Sequence, residues 1–248
     1  MSWTDITKNR FASASWAENT KKIGIAIIGV GGIGSWTALF LKRADFEVSV
    51  MDEDKVELTN LGGQLFTIRD IGRYKTVAVD DLVYNLTGSS LTTYTERFNT
   101  SSHFLYSSIV ISAVDNVETR YNILDTLRRE ALNDNFNSPK ILIDAGLEAE
   151  FFTLRTINIL DEKEVEEYLG ELDELENVKA TMCSYKQTTH VAAILAGMIT
   201  TQAVNIAHNL TNEIKRPIHK HLVYNATYNK VIQEKYREDE IWASIQIK

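Results

Sequence analysis

Apolar and polar positions along this chain come in blocks whose period switches between strand-like and helix-like. A short apolar run at 25–28 (Ile25, Ala26, Ile27, Ile28) and another at 48–51 have the length and composition of buried strands. Between them apolar residues recur at helical spacing. The same reading predicts strands at 91–95, 108–113 and 140–144, and helices over 75–85 and 117–133. Strands alternating with helices imply an α/β fold: a doubly wound, mainly parallel sheet covered on both faces. After Asp144 the character changes. Residues 151–160 and 221–231 read as strands with no regular crossover helix, so they are expected as antiparallel additions in the C-terminal half. Between them lie an acidic stretch, 161–176, and a long apolar helix over 188–209. The acidic stretch is most simply a solvated helix or loop, and charge runs of this kind can also help to choose a partner.

With two prolines and no repeat there is no evident linker, and all 248 residues are expected to form a single domain. Residues 1–21 read as an N-terminal helix or arm. Twenty-six basic against thirty-four acidic residues leave a net charge of −8, which disfavours nucleic acid as a general partner. The one cysteine, Cys183, excludes an internal disulfide and a paired-cysteine zinc site. No uninterrupted apolar run has the length of a membrane span, and the first residues, MSWTDITKNRF, have no apolar signal core. These features lead to the expectation of a cytoplasmic protein without a membrane partner.

The candidate chemistry begins where the first strand ends. Gly29-Val30-Gly31-Gly32-Ile33-Gly34 comes next and opens the helix, and the second strand ends on Asp52. Strand, glycine turn, helix, strand, carboxylate is the order of a nucleotide-binding Rossmann-like βαβ unit. Gly29, Gly31 and Gly34 permit a tight turn, close backbone approach to a phosphate and close helix–strand packing. Gly32 adds to the cradle, the helix N-terminus offers N–H groups to an anion, and Asp52 can accept hydrogen bonds from a ribose.

The residues after Asp52 narrow the class. Glu53-Asp54-Lys55-Val56-Glu57-Leu58-Thr59-Asn60-Leu61-Gly62-Gly63-Gln64, then Asp70-Ile71-Gly72-Arg73-Tyr74-Lys75, then Ser112-Ala113-Val114-Asp115-Asn116 with Arg120, form an ordered set. This set resembles the ThiF/MoeB family, the bacterial relatives of ubiquitin-activating enzymes, from about residue 22 to 150 and more loosely beyond. The resemblance implies an ATP- and Mg²⁺-dependent adenylyltransferase that activates the C-terminal carboxylate of a small ubiquitin-like or sulfur-carrier protein, working as a homodimer. It places Asp52 on the ribose, Asn60 and Lys75 on the phosphates and Asp115 on the metal, with Asp54 and Gln64 among the nucleotide-binding residues. It also makes 22–150 the nucleotide-binding half and 151–248 the half that meets the carrier and the second subunit.

The residues have a physical sense of their own. Joining a carboxylate to the α-phosphate of ATP brings two anions together, so the site must neutralise charge and hold both in line. Lys75 is a mobile cation suited to that task, and Asp115, at the end of the 108–113 strand, can hold Mg²⁺. Each also has a plainer reading. Asn60 and Gln64 are common turn residues, Lys75 a surface charge, Asp115-Asn116 a helix cap, and Arg120 a fold-supporting ion pair. His190 reads as a core or interface residue.

The pattern departs from the family at Gly63, where an arginine usually precedes the glutamine and would give a bidentate phosphate partner. Arg10, acting across a homodimer, is the candidate replacement, with Arg69 and Arg73 behind it. Cys183 is a candidate acceptor of the acyl group as a thioester, or simply a small buried side chain. A non-catalytic nucleotide-binding scaffold and an NAD-dependent oxidoreductase are the alternatives, the latter leaving the segments after Asp52 unexplained.

Overall fold

The computed structural model describes residues 14–99, 107–132, 141–179 and 188–235. Arg10 and Cys183 lie outside the described residues. Among these, eight strands form one sheet: β1 (Gly24–Ile28), β2 (Glu47–Met51), β3 (Thr92–Tyr94), β4 (Ile109–Ser112), β5 (Ile141–Glu148), β6 (Phe151–Asn158), β7 (His219–Asn225) and β8 (Lys230–Lys235). Their order across the sheet is β3-β2-β1-β4-β5-β6-β7-β8. β1 to β5 pair in parallel, and β5 to β8 pair antiparallel. The doubly wound, mainly parallel first half and the antiparallel second half agree with the alternation of blocks in the sequence.

Five α-helices among the described residues cover the sheet: α1 (Gly32–Arg43), α2 (Lys75–Thr87), α3 (Val117–Leu132), α4 (Glu162–Lys179) and α5 (Thr189–Asn209). Neighbouring residues of a strand point to opposite faces, and the two cores follow that parity. Ile25, Ile27, Ile109, Ile111, Ile141 and Ile143 pack beneath α1, α2 and α5. Ala26, Ile28, Val110 and Leu142 pack beneath α3 and α4. α5 is long and apolar enough to cross a membrane, yet Val191, Leu195, Ile199, Ala203 and Ile206 are buried in the first core. Its apolar face serves the sheet.

Three expectations need correction. Residues 221–231 do not form one strand: β7 and β8 flank a turn in which the Tyr228 N–H donates to Asn225 Oδ1 and Asn229 takes a left-handed conformation (φ 48°). Asparagine tolerates that region, so the turn was written in the residues. The strand expected at 140–144 runs on to Glu148, because Ala145–Glu148 pair with Phe151–Leu154 in a tight hairpin. The acidic stretch is a helix, but not one solvated all round. Val165, Tyr168 and Leu172 bury one face of α4, and Asp161 Oδ1 accepts from the Lys163 and Glu164 amides at its start. Of the expected arm, residues 14–21 dock on the C-terminal end of α5, where the Asn19 amide donates to the Ala207 carbonyl and Thr211 Oγ1.

Candidate functional site

β1 lies between β2 and β4, so the chain leaves it in one direction and returns on the other side. In open α/β sheets ligands bind at such a switch point, outside the carboxyl ends of the strands. There the structure has a cavity of about 310 Å³, a size suited to a small ligand. It is lined by Gly29, Gly31, Gly32, Asp52, Asp54, Gln64, Lys75 and Asp115 among others. Eight of the residues singled out in the sequence therefore meet in one place.

The glycine turn forms the floor. Gly29 has φ +92°, and a Cβ there would sit 2.6 Å from the Ala113 carbonyl oxygen. Gly34 does not line the cavity; it packs against the turn, where a Cβ would lie 1.9 Å from the Gly29 carbonyl oxygen. That close approach seats the start of α1 against β1. Gly31, at the N-cap of α1, has open space, with Gln64 Nε2 the nearest atom at 3.9 Å from a hypothetical Cβ. No side chain caps α1, and the first amides of a helix have no acceptor within it. A polyphosphate fits this floor.

Asp52 is shared between the cavity and the turn. Its Oδ2 accepts from the Val30 N–H at 2.7 Å, and its Oδ1 from the Asp54 N–H at 2.8 Å. Both bonds orient the carboxylate at the cavity edge, and each oxygen keeps a further lone pair for a ligand hydroxyl.

Lys75 is not the free cation expected. Its ammonium donates to Asp54 Oδ2 at 2.7 Å and the residue is only 8 % exposed. The reason is positional: a lysine at the first turn of a helix opposes the macrodipole, and Asp54 offsets it. The loop carrying Asp54 is itself clamped to the segment before α2 by the bonds Val56 N–H to Arg73 O, Gly72 N–H to Val56 O and Lys75 N–H to Asp54 O.

Asn60 and Gln64 part company. Asn60 Oδ1 accepts from the Glu57 N–H in a short 3₁₀ turn, and Asn60 is not among the cavity residues. Gln64 is, and among the described residues its buried Oε1 has no hydrogen-bond partner. An unsatisfied buried oxygen facing a cavity is a place for a ligand donor. Its loop is tied down by the Leu65 N–H donating to Ser35 Oγ and by Thr189 Oγ1 donating to the Gly62 carbonyl.

At the end of β4, Asn116 Oδ1 accepts from the Thr119 N–H and caps α3, while Asp115 lines the cavity. Capping and cavity lining thus fall to different residues. No cluster of three or more metal-ligating side chains occurs among the described residues. Magnesium usually takes one or two carboxylates and completes its shell with phosphate oxygens and water, and Asp115, lining the cavity beside the glycine turn, is a carboxylate that fits that ion. Arg120 forms the expected ion pair, with Asp144.

Sequence reasoning missed the loop after β3. Glu96, Arg97 and Phe98 line the cavity, with Arg97 Nε 3.8 Å from Glu53 Oε1 at its mouth. β3 being parallel to β2, its carboxyl end must open at the same edge, and that was the available signal. Among the described residues, Lys75 and Arg97 are the lysine and arginine side chains lining the cavity; Arg73 is instead paired with Asp70 and Asp81, and Arg69 is not at the cavity.

A second cavity, about 220 Å³, adjoins the first through the shared wall Ala113, Val114 and Asp115, and runs past Gly146, Leu147, Phe151 and Thr153.

This floor, carboxylate and strand-end arrangement is found together with a matching sequence: residues 7–241 match the ThiF family, and the chain belongs to it. It is 34% identical over 112 residues to the adenylyltransferase and sulfurtransferase MOCS3 of Anopheles gambiae, covering 42% of this chain and 25% of that protein. It is 30% identical over 139 residues to the NEDD8-activating enzyme E1 catalytic subunit of Saccharomyces cerevisiae, covering 54% of this chain and 46% of the relative. The matched stretch thus spans a quarter to under half of these relatives. Among solved structures the fold resembles E. coli MccB with MccA-N7isoASN, at TM-score 0.66 and 15% identity, over 96% of this chain and 74% of that one. It also resembles MccB with ATP, at TM-score 0.63 and 16% identity, over 94% and 69%.

Proposed function

We propose that this protein is an ATP-dependent adenylyltransferase acting on the C-terminal carboxylate of a small ubiquitin-like, sulfur-carrier or peptide substrate. The observation that carries the reading is the pair of cavities that share the wall Ala113–Asp115. One has a glycine cradle, a ribose-orienting carboxylate and a lysine; the other is a groove along the β5–β6 hairpin. Nucleotide in the first and an extended chain end in the second would meet at Asp115. The acyl oxygen would bond to the α-phosphorus as the bond to the bridging oxygen breaks and pyrophosphate leaves. A relative named as an adenylyltransferase and sulfurtransferase, another named as a NEDD8-activating enzyme E1 catalytic subunit, and a structural neighbour crystallised with ATP support the same reading.

Asp115 would hold Mg²⁺, which supplies charge neutralisation between the phosphates when bound. Lys75 would exchange Asp54 for phosphate oxygens, and the glycine-turn amides would orient the triphosphate. The cavity lining also carries Asp52, Glu53, Asp54 and Glu96, so an anionic nucleotide arrives at an acidic surface and needs accompanying cations. A homodimer is part of the reading. Leu58, Ile68, Ile71, Tyr74 and Val77 are exposed on the segments flanking the cavity, where a second copy would bring Arg10 to the side that Gly63 leaves without a guanidinium. Cys183 would be the acyl acceptor in a second step.

Two measurements test this. Saturating ATP with Mg²⁺, at about 100 times its Kd, should stabilise the protein by about 2.7 kcal/mol, and NAD should not. ATP–pyrophosphate exchange should then depend on an added carrier ending in Gly-Gly. Stabilisation by NAD alone would refute the reading. So would ATP binding with no exchange in the presence of carriers and the peptide class that MccB is named with. Mixing Arg10→Ala with Lys75→Ala subunits should restore part of the activity if Arg10 acts across the dimer. Cys183→Ser should abolish a thiol-sensitive carrier adduct.

A further inference from the structure

On the α3/α4 face of the sheet one row carries buried charge. Ser112 on β4, Asp144 on β5 and Arg155 on β6 are register partners, so their side chains stand side by side on that face. Arg120 reaches the row from α3 and Tyr168 from α4, and all five residues are less than a tenth exposed. Asp144 takes one nitrogen of Arg120, and the other lies 2.9 Å from the Val114 carbonyl oxygen and 3.4 Å from that of Ala145.

As a stabilising device this node is poor. Among the described residues, Ser112 Oγ, Arg120 Nε and Arg155 Nε are buried with no hydrogen-bond partner. Unsatisfied buried groups oppose folding, and buried ion pairs can often be replaced by apolar residues without loss. What an apolar pair could not reproduce is the grip on two carbonyls. Val114 belongs to the wall between the two cavities, and Ala145 begins the groove side. Gly146, next along, has no room to shift inward: a Cβ there would lie 2.8 Å from Thr153 Oγ1 and 3.8 Å from Arg120 Nη2.

We propose that Arg120 is a positioning residue: clamped by Asp144, it fixes the Val114 and Ala145 carbonyls and so sets the placement of Asp115 relative to both cavities. The consequence for turnover rests on the adenylation reading; the consequence for the loop does not. The test uses the full chain and two variants, Arg120→Lys and the double variant Arg120→Met/Asp144→Leu, the second removing both members of the Arg120–Asp144 ion pair and leaving Arg155 with Glu167 and Glu171.

Amide hydrogen exchange is read first, without nucleotide. In both variants exchange in the segments 113–116 and 145–147 should rise about tenfold, the equivalent of one lost hydrogen bond. Exchange within β1 and α1 should stay unchanged. ATP–pyrophosphate exchange is read second: kcat should fall by about tenfold or more with KM for ATP within about threefold. Unchanged loop exchange in Arg120→Lys overturns the proposal, as does acceleration spread equally over the whole chain. If the parent protein neither binds ATP nor exchanges pyrophosphate, the adenylation reading fails, and the loop exchange still decides the role of Arg120.

Discussion

Gly34 and Gly31 stand three residues apart in one turn, and the structure assigns them opposite kinds of work. A methyl group at Gly34 would lie 1.9 Å from the Gly29 carbonyl oxygen and 3.0 Å from its carbon. Both are backbone atoms, so no rotamer change relieves the clash, and α1 must part from the turn by about 1.5 Å to reach an ordinary contact. Overpacking of this kind costs about 1–3 kcal/mol, and a clash at 1.9 Å with backbone puts this substitution at the upper end. Alanine in place of glycine inside a helix returns about 1 kcal/mol. Sterics should win, with a net loss of about 2 kcal/mol, or roughly 4–8 °C in Tm for a chain of this size. At Gly31 a methyl group meets nothing nearer than 3.9 Å and φ is −81°. Exchanging glycine for alanine at an N-cap should change stability by no more than about 1 kcal/mol. The methyl group would, however, stand in the cavity where a phosphate must approach the amides, and ATP affinity should fall by about tenfold or more. Thermal melts followed by circular dichroism and ATP titration by calorimetry separate the two effects. A Gly34→Ala protein that melts with the wild type would refute the close helix–turn approach. A Gly31→Ala protein that binds ATP unchanged would refute the backbone cradle.

Three further outcomes are expected. Lys75→Met should keep the fold but lower ATP–pyrophosphate exchange by about 100-fold or more, as for loss of a charge aimed at the reacting phosphates; a drop under about threefold would mean that Lys75 never leaves Asp54. Arg97→Ala should weaken nucleotide binding by only about fivefold, its guanidinium being largely solvated at the cavity mouth, and an unchanged Kd would remove it from the site. His219, with its imidazole held below the ordinary value chiefly by burial and then by Lys235, is favoured as the neutral form in the fold. The unfolded chain therefore takes up a proton first as pH falls below about 6.5. Stability from this group is complete above that pH and declines towards the lowered native value; His219→Asn should flatten the part of the Tm-against-pH curve that lies below about pH 6.5.

How far the site could be read in advance depended on how local its geometry is. The turn at Gly29–Gly34, with Asp52 after the next strand, is one supersecondary unit, and Gly29, Gly31, Gly32 and Asp52 line the cavity while Gly34 does not. Gly34 serves packing, which its place inside α1 required. Asn60 and Gln64 are four residues apart in one short turn, and nothing in their spacing says which faces the cavity. Their hydrogen bonds decide it, Asn60 being turned back onto Glu57 and Gln64 held inward through its neighbour's bond to Ser35. Lys75 lines the cavity, and its ion pair with Asp54 was not legible in the sequence. Asp54 lies twenty-one positions earlier, and only the clamp between the two segments brings the charges together.

The amino-acid order alone determined the class of fold, the nucleotide-type turn and the switch from parallel to antiparallel pairing, because each depends on periodicity and on residues within one βαβ unit or hairpin. Tertiary structure alone decided that Glu96–Phe98 line the cavity, that Lys75 is paired with Asp54, and that Arg120, held by Asp144, bonds the Val114 and Ala145 carbonyls. Those contacts join segments that are neighbours in the fold but apart in the chain. Strand order, set by how the helices cover the sheet, is what makes them neighbours.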